Sequence, residues 1–328
     1  LPFSGTESVA TLIPYQKPYL TSQALCQKLI ADGLLIGDMG QASQTLERCS
    51  YYRFKAYLIP LKAPQGGYQQ GASFENAVRL YNFDEELRAL LFSFIQQAEI
   101  ALRSSFDNWM TNECGQNAFW YLDATLFDDR EKHTRTVTSI ASSFRRSKEP
   151  FAAHFHGKYY NAFCSFYRDL PPGWVAMELL TFGQFKSLLE AIDEKAATAA
   201  RLKRYASNVT GAKDFKTLKS WLTVLHQVRN ICCHHSRLFN SNLPSPANFK
   251  YFLDPAIPLV RAGNSQKEQT NRLYTALVVL QQLMISHGYP NIGPRIKTLI
   301  VSYPEVLPHL PSMGFPVNWA NESHFGFL

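Results

Sequence analysis

Apolar residues recur along most of this chain at three- and four-residue spacing, the period of a helix that buries one face. The strongest run is Leu87, Leu90, Leu91, Phe94, Ile95, Ala98 and Leu102, and it reaches about Trp109. Asp84 reads as its N-cap, with Glu85 and Glu86 in the first turn, where the helix dipole favours acids. A second long run leads from Asp214 through Trp221, Leu222, Leu225 and Val228. Shorter helical patterns cover residues 20–34, with Thr21 or Ser22 as cap, and residues 41–52, 123–146, 187–205 and 267–287. Pro171-Pro172-Gly173 stops the chain, and Trp174 opens another helix whose Trp174, Met177, Leu180 and Phe185 line one side. Residues 60–71 and 240–248 are rich in turn formers, and residues 1–17 read as a loose leader. Six of the 18 prolines fall between Pro290 and Pro316, which predicts an irregular tail. No alternating strand pattern, phosphate-binding glycine loop or internal repeat appears. The expected fold is all-α, with an N-terminal helical lobe over 1–75, a helical core over 76–287, and a tail over 288–328 packed on that core.

Hydrophobic residues make up 46% of the 328, enough for a sizeable core. The charge of +7 suits a polyanionic partner without demanding one. Its clusters, such as Arg145-Arg146-Ser147-Lys148, read first as solvated helix faces. The six cysteines show no repeating spacing and two are adjacent, so free, mostly buried thiols in a reducing cytoplasm are expected rather than a disulfide framework. No stretch of 18 uncharged apolar residues is present, so no transmembrane helix and no membrane partner is expected. Residues Leu1 to Gly5 lack an initiator Met and an apolar signal core, so the chain reads as trimmed and carries no targeting inference.

The chemistry concentrates in Val228-Arg229-Asn230-Ile231-Cys232-Cys233-His234-His235-Ser236-Arg237, at the end of the second long run. A histidine titrates near neutral pH and can move a proton. An arginine presents a charged planar fork that fits a phosphate. In RNA the 2′-OH is a built-in nucleophile: His234 would deprotonate it and Arg229 would hold the phosphate, giving a 2′,3′-cyclic phosphate and a 5′-OH without metal or cofactor. On a straight helix Arg229 and His234 lie about 140° apart, whereas Asn230 and His234 share a face. Either the helix breaks between Cys232 and Ser236, or Arg229 reaches round, or two subunits pool their motifs. The bland alternative is a polar helix end with a solvated His pair. Glu99 and Arg103, four apart inside an apolar run, read first as an intrahelical ion pair and second as groups that orient the His234 site. Glu178 sits in an apolar setting and must be paired or near the surface. His154 and His156 read as packing and surface before function.

In chain order, Ser50-Tyr51-Tyr52-Arg53 with Tyr57, Leu80-Tyr81-x-Phe83-Asp84-x-x-Leu87-Arg88, Glu99-Ile100-x-x-Arg103, Pro172-x-Trp174-x-x-x-Glu178, Thr181-Phe182-Gly183 and Val228-Arg229-Asn230-x-Cys232-x-His234-His235-Ser236-Arg237-Leu238 resemble the bacterial abortive-infection (Abi-like) family of AbiD and AbiF type. The resemblance spans roughly residues 16–290. That family is similar to the HEPN superfamily of helical ribonucleases, and the resemblance implies a HEPN-type bundle and an Arg-x-x-x-x-His catalytic motif. Arg229, Asn230 and His234 fill its positions, with His235, Arg237, Glu99, Arg103 and Glu178 as supporting candidates. Members bring two such motifs together. Only one is found here, since Arg103 to Phe106 has no histidine in register and His133 is not a clear match, so a homodimer with a composite site is implied. Family register favours His234 over His235 as base.

The function expected is therefore a cytoplasmic, metal-independent phage-defence endoribonuclease, with RNA as substrate and as a candidate regulator. The alternative is a non-catalytic RNA-binding or scaffold protein, whose Tyr51, Tyr52, Arg53 and Phe54 would hold single strands. A zinc site built from Cys232, Cys233, His234 and His235 is disfavoured, because consecutive helical residues cannot all face one ion.

Overall fold

The computed structural model describes residues 14–263 and 265–326, so the leader expected over 1–17 lies mostly outside the described residues. The chain divides into two compact units, Leu1–Val78 and Arg79–Leu328. Among the described residues it is all-α, with isolated bridges in place of strands. No helix is long and apolar enough to cross a membrane. Described by itself, the first unit holds α1 (Ser22–Ala31), α2 (Met39–Cys49) and α3 (Tyr51–Leu58), capped by the side chains of Thr21, Asp38 and Ser50. Ser50 has φ +58°, which breaks the single helix expected over 41–52 into two. Phe54 and Tyr57 are buried, and Phe54 stacks on Phe74 at 4.6 Å, so these rings form core rather than an RNA platform.

α4 (Phe74–Glu113) starts well before the expected cap. Asp84 lies inside it, fully buried, and is not an N-cap. Ala77 and Leu80 extend the buried stripe upstream of the expected start, so the acidic Asp84-Glu85-Glu86 run resembled a helix start without being one. The Asp84 carboxylate pairs with Arg88 and accepts the backbone amides of Leu238 at 3.2 Å and Phe239 at 2.7 Å.

The second unit continues with α5 (Arg130–Arg146), α6 (Pro150–Lys158), α7 (Gly173–Leu179), α8 (Phe182–Glu190), α9 (Glu194–Ala199), α10 (Leu202–Tyr205), α11 (Phe215–Cys233), α12 (Leu273–Ser286) and α13 (Gly293–Val301). The helix expected over 123–146 begins later: Asp123 caps a short 3₁₀ turn over Ala124–Leu126, and Asp129 caps the helix. That expected over 187–205 is three short pieces, with caps at Asp193 and at left-handed Arg201. Trp174 is 54% exposed and does not join the buried side of α7.

α11 packs against α8 and α12. α12 is buried nearly all round, as a helix in the middle of a domain must be. Under these helices Phe106 meets Trp120, Phe185, Tyr205 and Phe215 with ring centroids 5.3–6.3 Å apart. The loop after α11 is tied back to it: Trp221 Nε1 donates to the Ala247 carbonyl at 2.8 Å, and Asn248 Nδ2 to Thr217 Oγ1 at 2.7 Å. The Pro-rich tail carries α13 and four 3₁₀ turns, so it is more ordered than expected. Its end covers α12: Phe325 packs on Tyr274 at 5.6 Å, and His324 Nε2 meets the Val278 carbonyl at 3.0 Å.

Asp84→Ala removes the acceptor of two amides and the carboxylate beside a buried arginine. The expected loss is roughly 3–5 kcal/mol in urea unfolding. A loss near the roughly 0–1 kcal/mol of a surface pair would contradict the anchoring role.

Candidate functional site

α11 starts where the Asp214 side chain accepts the Thr217 amide at 2.7 Å. It stops at Cys233 with His234 as C-cap. The Ser236 amide donates to the Ile231 carbonyl at 2.9 Å and the His235 amide to Cys232 at 3.2 Å. This is a Schellman stop, and His235 occupies its left-handed position at φ +54°. A β-carbon there costs roughly 1–2 kcal/mol, so the position is held by its surroundings. Those surroundings include Asp84, which fixes the amides only two and three residues after Ser236.

The stop sends the two histidines to different places. His234 is exposed and lines an open groove of about 400 Å³ between α8 and α11, with Lys186, Thr223, His226, Gln227, Asn230, Ile231 and Ser236. His235 lines another recess of about 410 Å³ with Glu85, Arg88, Ala89 and Phe92 of α4 and with Cys232 and Cys233. A larger recess of about 630 Å³, between α4 and α13, holds none of the motif residues.

Arg229 does not line the groove with His234. It is half-buried, its Nε lies buried without a hydrogen-bond partner, and its charge acts on Glu99 of α4. Glu99 forms the expected intrahelical pair with Arg103, both side chains nearly buried. Burial pushes the Glu99 carboxyl above its ordinary range, and Arg103 and then Arg229 pull it partly back. Of the three ways to bring Arg229 and His234 together, the helix does end in the expected place. The arginine nonetheless stays out of that groove, and its charge acts on Glu99, which pairs with Arg103.

The groove and its wall bring in His226, Lys186 and Gly183, which the sequence reading did not single out as functional. His226 lies four residues before Asn230, as His234 lies four after it, so the three share one side of α11. The His226 Nε2 and Asn230 Nδ2 are 3.1 Å apart, and with the amide as placed the nitrogen of the ring accepts. Lys186 of α8 joins the lining and pairs with Glu190 at 2.7 Å. Gly183 lies against the ring: a β-carbon there would stand 2.8 Å from His226 Nε2. The repeat of four over 226, 230 and 234 was the available signal for His226. The Thr181-Phe182-Gly183 motif was visible, but its role of making room for an imidazole was not. Burial, then the Lys186 and Arg229 charges, hold His226 below the ordinary histidine range, with Glu190 opposing.

The remaining candidates lie elsewhere. Glu178 is exposed on α7, and Arg237 is half-buried beyond the turn. Tyr51 is half-buried, whereas Tyr52 and Arg53 are exposed on α3. His154 is exposed, and His156 stacks on Phe144 with centroids 4.0 Å apart. His133 is buried against the Tyr121 carbonyl at 2.8 Å. The six cysteines are free thiols, of which Cys26 and Cys232 are buried and the other four half-buried. Among the described residues no three His, Cys, Asp or Glu side chains converge as metal ligands, and His234 lines a different recess from Cys232, Cys233 and His235.

A histidine whose folded pKa is lowered binds its proton less readily in the native state. Its contribution to stability is present above the unfolded value of about 6.5 and is lost as pH falls through the lower folded value. The stability of wild type relative to His226→Gln is therefore expected to shrink between pH 7.5 and 5 in urea unfolding. A difference that is flat or grows on acidification would contradict the neutral, half-buried ring.

No curated protein and no solved structure matches the chain. The family model described as Abi-like protein matches residues 44–240, which is more than half of the chain and includes Asp84, α8 and all of α11. The chain belongs to the Abi-like protein family.

Proposed function

We propose that this protein is a phage-defence endoribonuclease of the cytoplasm that cleaves RNA without a metal ion, through attack of a 2′-OH on the adjacent phosphate. The observation that carries this reading is the groove between α8 and α11, where two imidazoles, an amide and a lysine converge at a helix end. The family supports the setting, since Abi-like membership suggests abortive infection. The chemistry supports the reaction. The nucleophile is already tethered beside its target, so the protein need only orient the phosphate, neutralise growing charge and move protons. Imidazoles move protons near neutral pH. Asn230 can donate to a phosphate oxygen, and Lys186 brings positive charge to the groove. The net charge of +7 suits an RNA substrate.

The proposal includes a homodimer of HEPN type with a composite site. Two features support it: each chain carries one motif, and Arg229 and His234 of one chain do not meet in the groove. A second copy would bring its own motif, and with it a further cation, to the phosphate.

The test is cleavage of a mixed RNA pool in EDTA by wild type, His234→Ala and Arg229→Ala, with a 2′-deoxy strand alongside. Wild type is expected to cut, the variants to lose about 10²–10⁴-fold, and the deoxy strand to survive. Variants that cut like wild type would overturn the assignment. For the dimer, co-expressed His234→Ala and Arg229→Ala chains are expected to regain cleavage that neither has alone. No regain in a verified heterodimer would contradict a composite site.

A further inference from the structure

The 2′-OH reaction moves two protons. One leaves the attacking hydroxyl, and the other arrives on the 5′-oxygen as it departs. A single histidine accounts for only one transfer at a time. The groove holds two, His226 and His234, both in its lining, with Asn230 midway between them on α11. Eight residues of helix separate their backbones by about 12 Å and turn them by only about 80°. A phosphate lying over Asn230 therefore has an imidazole on either side along the helix.

The two rings stand in different surroundings. His226 is half-buried between α8 and α11. The charged groups that face it are Lys186 and Glu190 from α8 and Arg229 from its own helix. With the Asn230 amide as placed, its Nδ2 donates to His226 Nε2 at 3.1 Å, so that nitrogen is the acceptor of the contact. The missing side chain of Gly183 leaves the space beside the same atom. An entering hydroxyl can take the amide's place as donor. His234 is exposed and caps the C-terminus of a 19-residue helix. Its ring lines the groove on the far side of Asn230 from His226, open to a departing 5′-oxygen.

We propose that His226 is a second catalytic residue of the groove, the base that accepts the 2′-OH proton, and that His234 is the acid that protonates the leaving 5′-oxygen. This rests on the nuclease reading and revises it, since the sequence alone made His234 the base. The 2′-O–H bond breaks and its proton passes to His226 Nε2, while the 2′-oxygen bonds to phosphorus. The P–O5′ bond breaks, and the departing oxygen takes the proton from His234. The products are a 2′,3′-cyclic phosphate and a 5′-OH. The enzyme is left with a charged His226 and a neutral His234, which exchange with water to restore the starting state. Nothing is oxidised or reduced.

The experiment uses a DNA strand holding one ribonucleotide at a site that wild type cuts, in two forms: the ordinary phosphodiester, and a phosphorothiolate with bridging sulfur at the 5′ position. A thiolate leaves without being protonated, so a missing acid no longer matters. His234→Ala is expected to lose about 10²–10⁴-fold on the oxygen substrate and to approach wild type on the sulfur one. His226→Ala is expected to stay slow on both, and its rate to rise with pH as hydroxide replaces the base. Wild type is expected to slow on acidification, at a pH below the ordinary histidine value of about 6.5, a limb that His226→Ala lacks. Gly183→Ala guards against a folding artefact. It keeps His226, sets a methyl against Nε2, and is expected to lose cleavage while circular dichroism stays unchanged. His226→Ala cutting like wild type with the same pH profile overturns the proposal. So does sulfur rescue of His226→Ala in place of His234→Ala, which would reverse the roles. A wild type that cuts no RNA overturns the nuclease reading, and this assignment with it.

Discussion

The buried carboxylate of Asp84 is the constraint on which the site depends. It is fully buried in the middle of α4, pairs with Arg88, and accepts two successive backbone amides from the chain that leaves α11. A charge in that position is tolerable only because all of these groups satisfy it. The consequence reaches the chemistry. With Leu238 and Phe239 pinned, the chain must turn within a few residues of Cys233, and the left-handed backbone of His235 achieves this. The stop then leaves His234 at the mouth of the groove.

The end of α11 is divided by charge as well as by shape. On the side of α4 lie Arg229, Glu99 and Arg103, where an acid sits with two guanidiniums in a largely dry setting. On the side of α8 lie His226, Asn230 and His234 in an open groove with Lys186. The first group keeps Arg229 out of its own chain's groove, and the second lines that groove. One short motif thus supplies both, because neighbouring positions on a helix point about 100° apart.

The helical class was legible because nearly every buried stripe repeats at three and four residues. Helix ends were less so. Asp123 caps a 3₁₀ turn ahead of the helix that Asp129 starts, and Asp84, which has the chemistry of a cap, is consumed by a tertiary contact with residues more than 150 positions away. Such contacts leave no local trace. That Asn230 and His234 share a groove could be read from their four-residue spacing, and the 140° between Arg229 and His234 matches the absence of Arg229 from its lining. His226 was hidden because it sits among apolar residues of the same helix. Only the fold shows that α8 comes close there with a glycine instead of a side chain.

Cleavage through the 2′-OH leaves its signature on both new ends of the RNA. The most direct measurement is mass spectrometry of fragments released by the purified protein in EDTA. The groove chemistry predicts 2′,3′-cyclic phosphate on one side of each cut and 5′-OH on the other. Fragments ending in 3′-OH and 5′-phosphate, or RNA left intact by the folded protein, would contradict it.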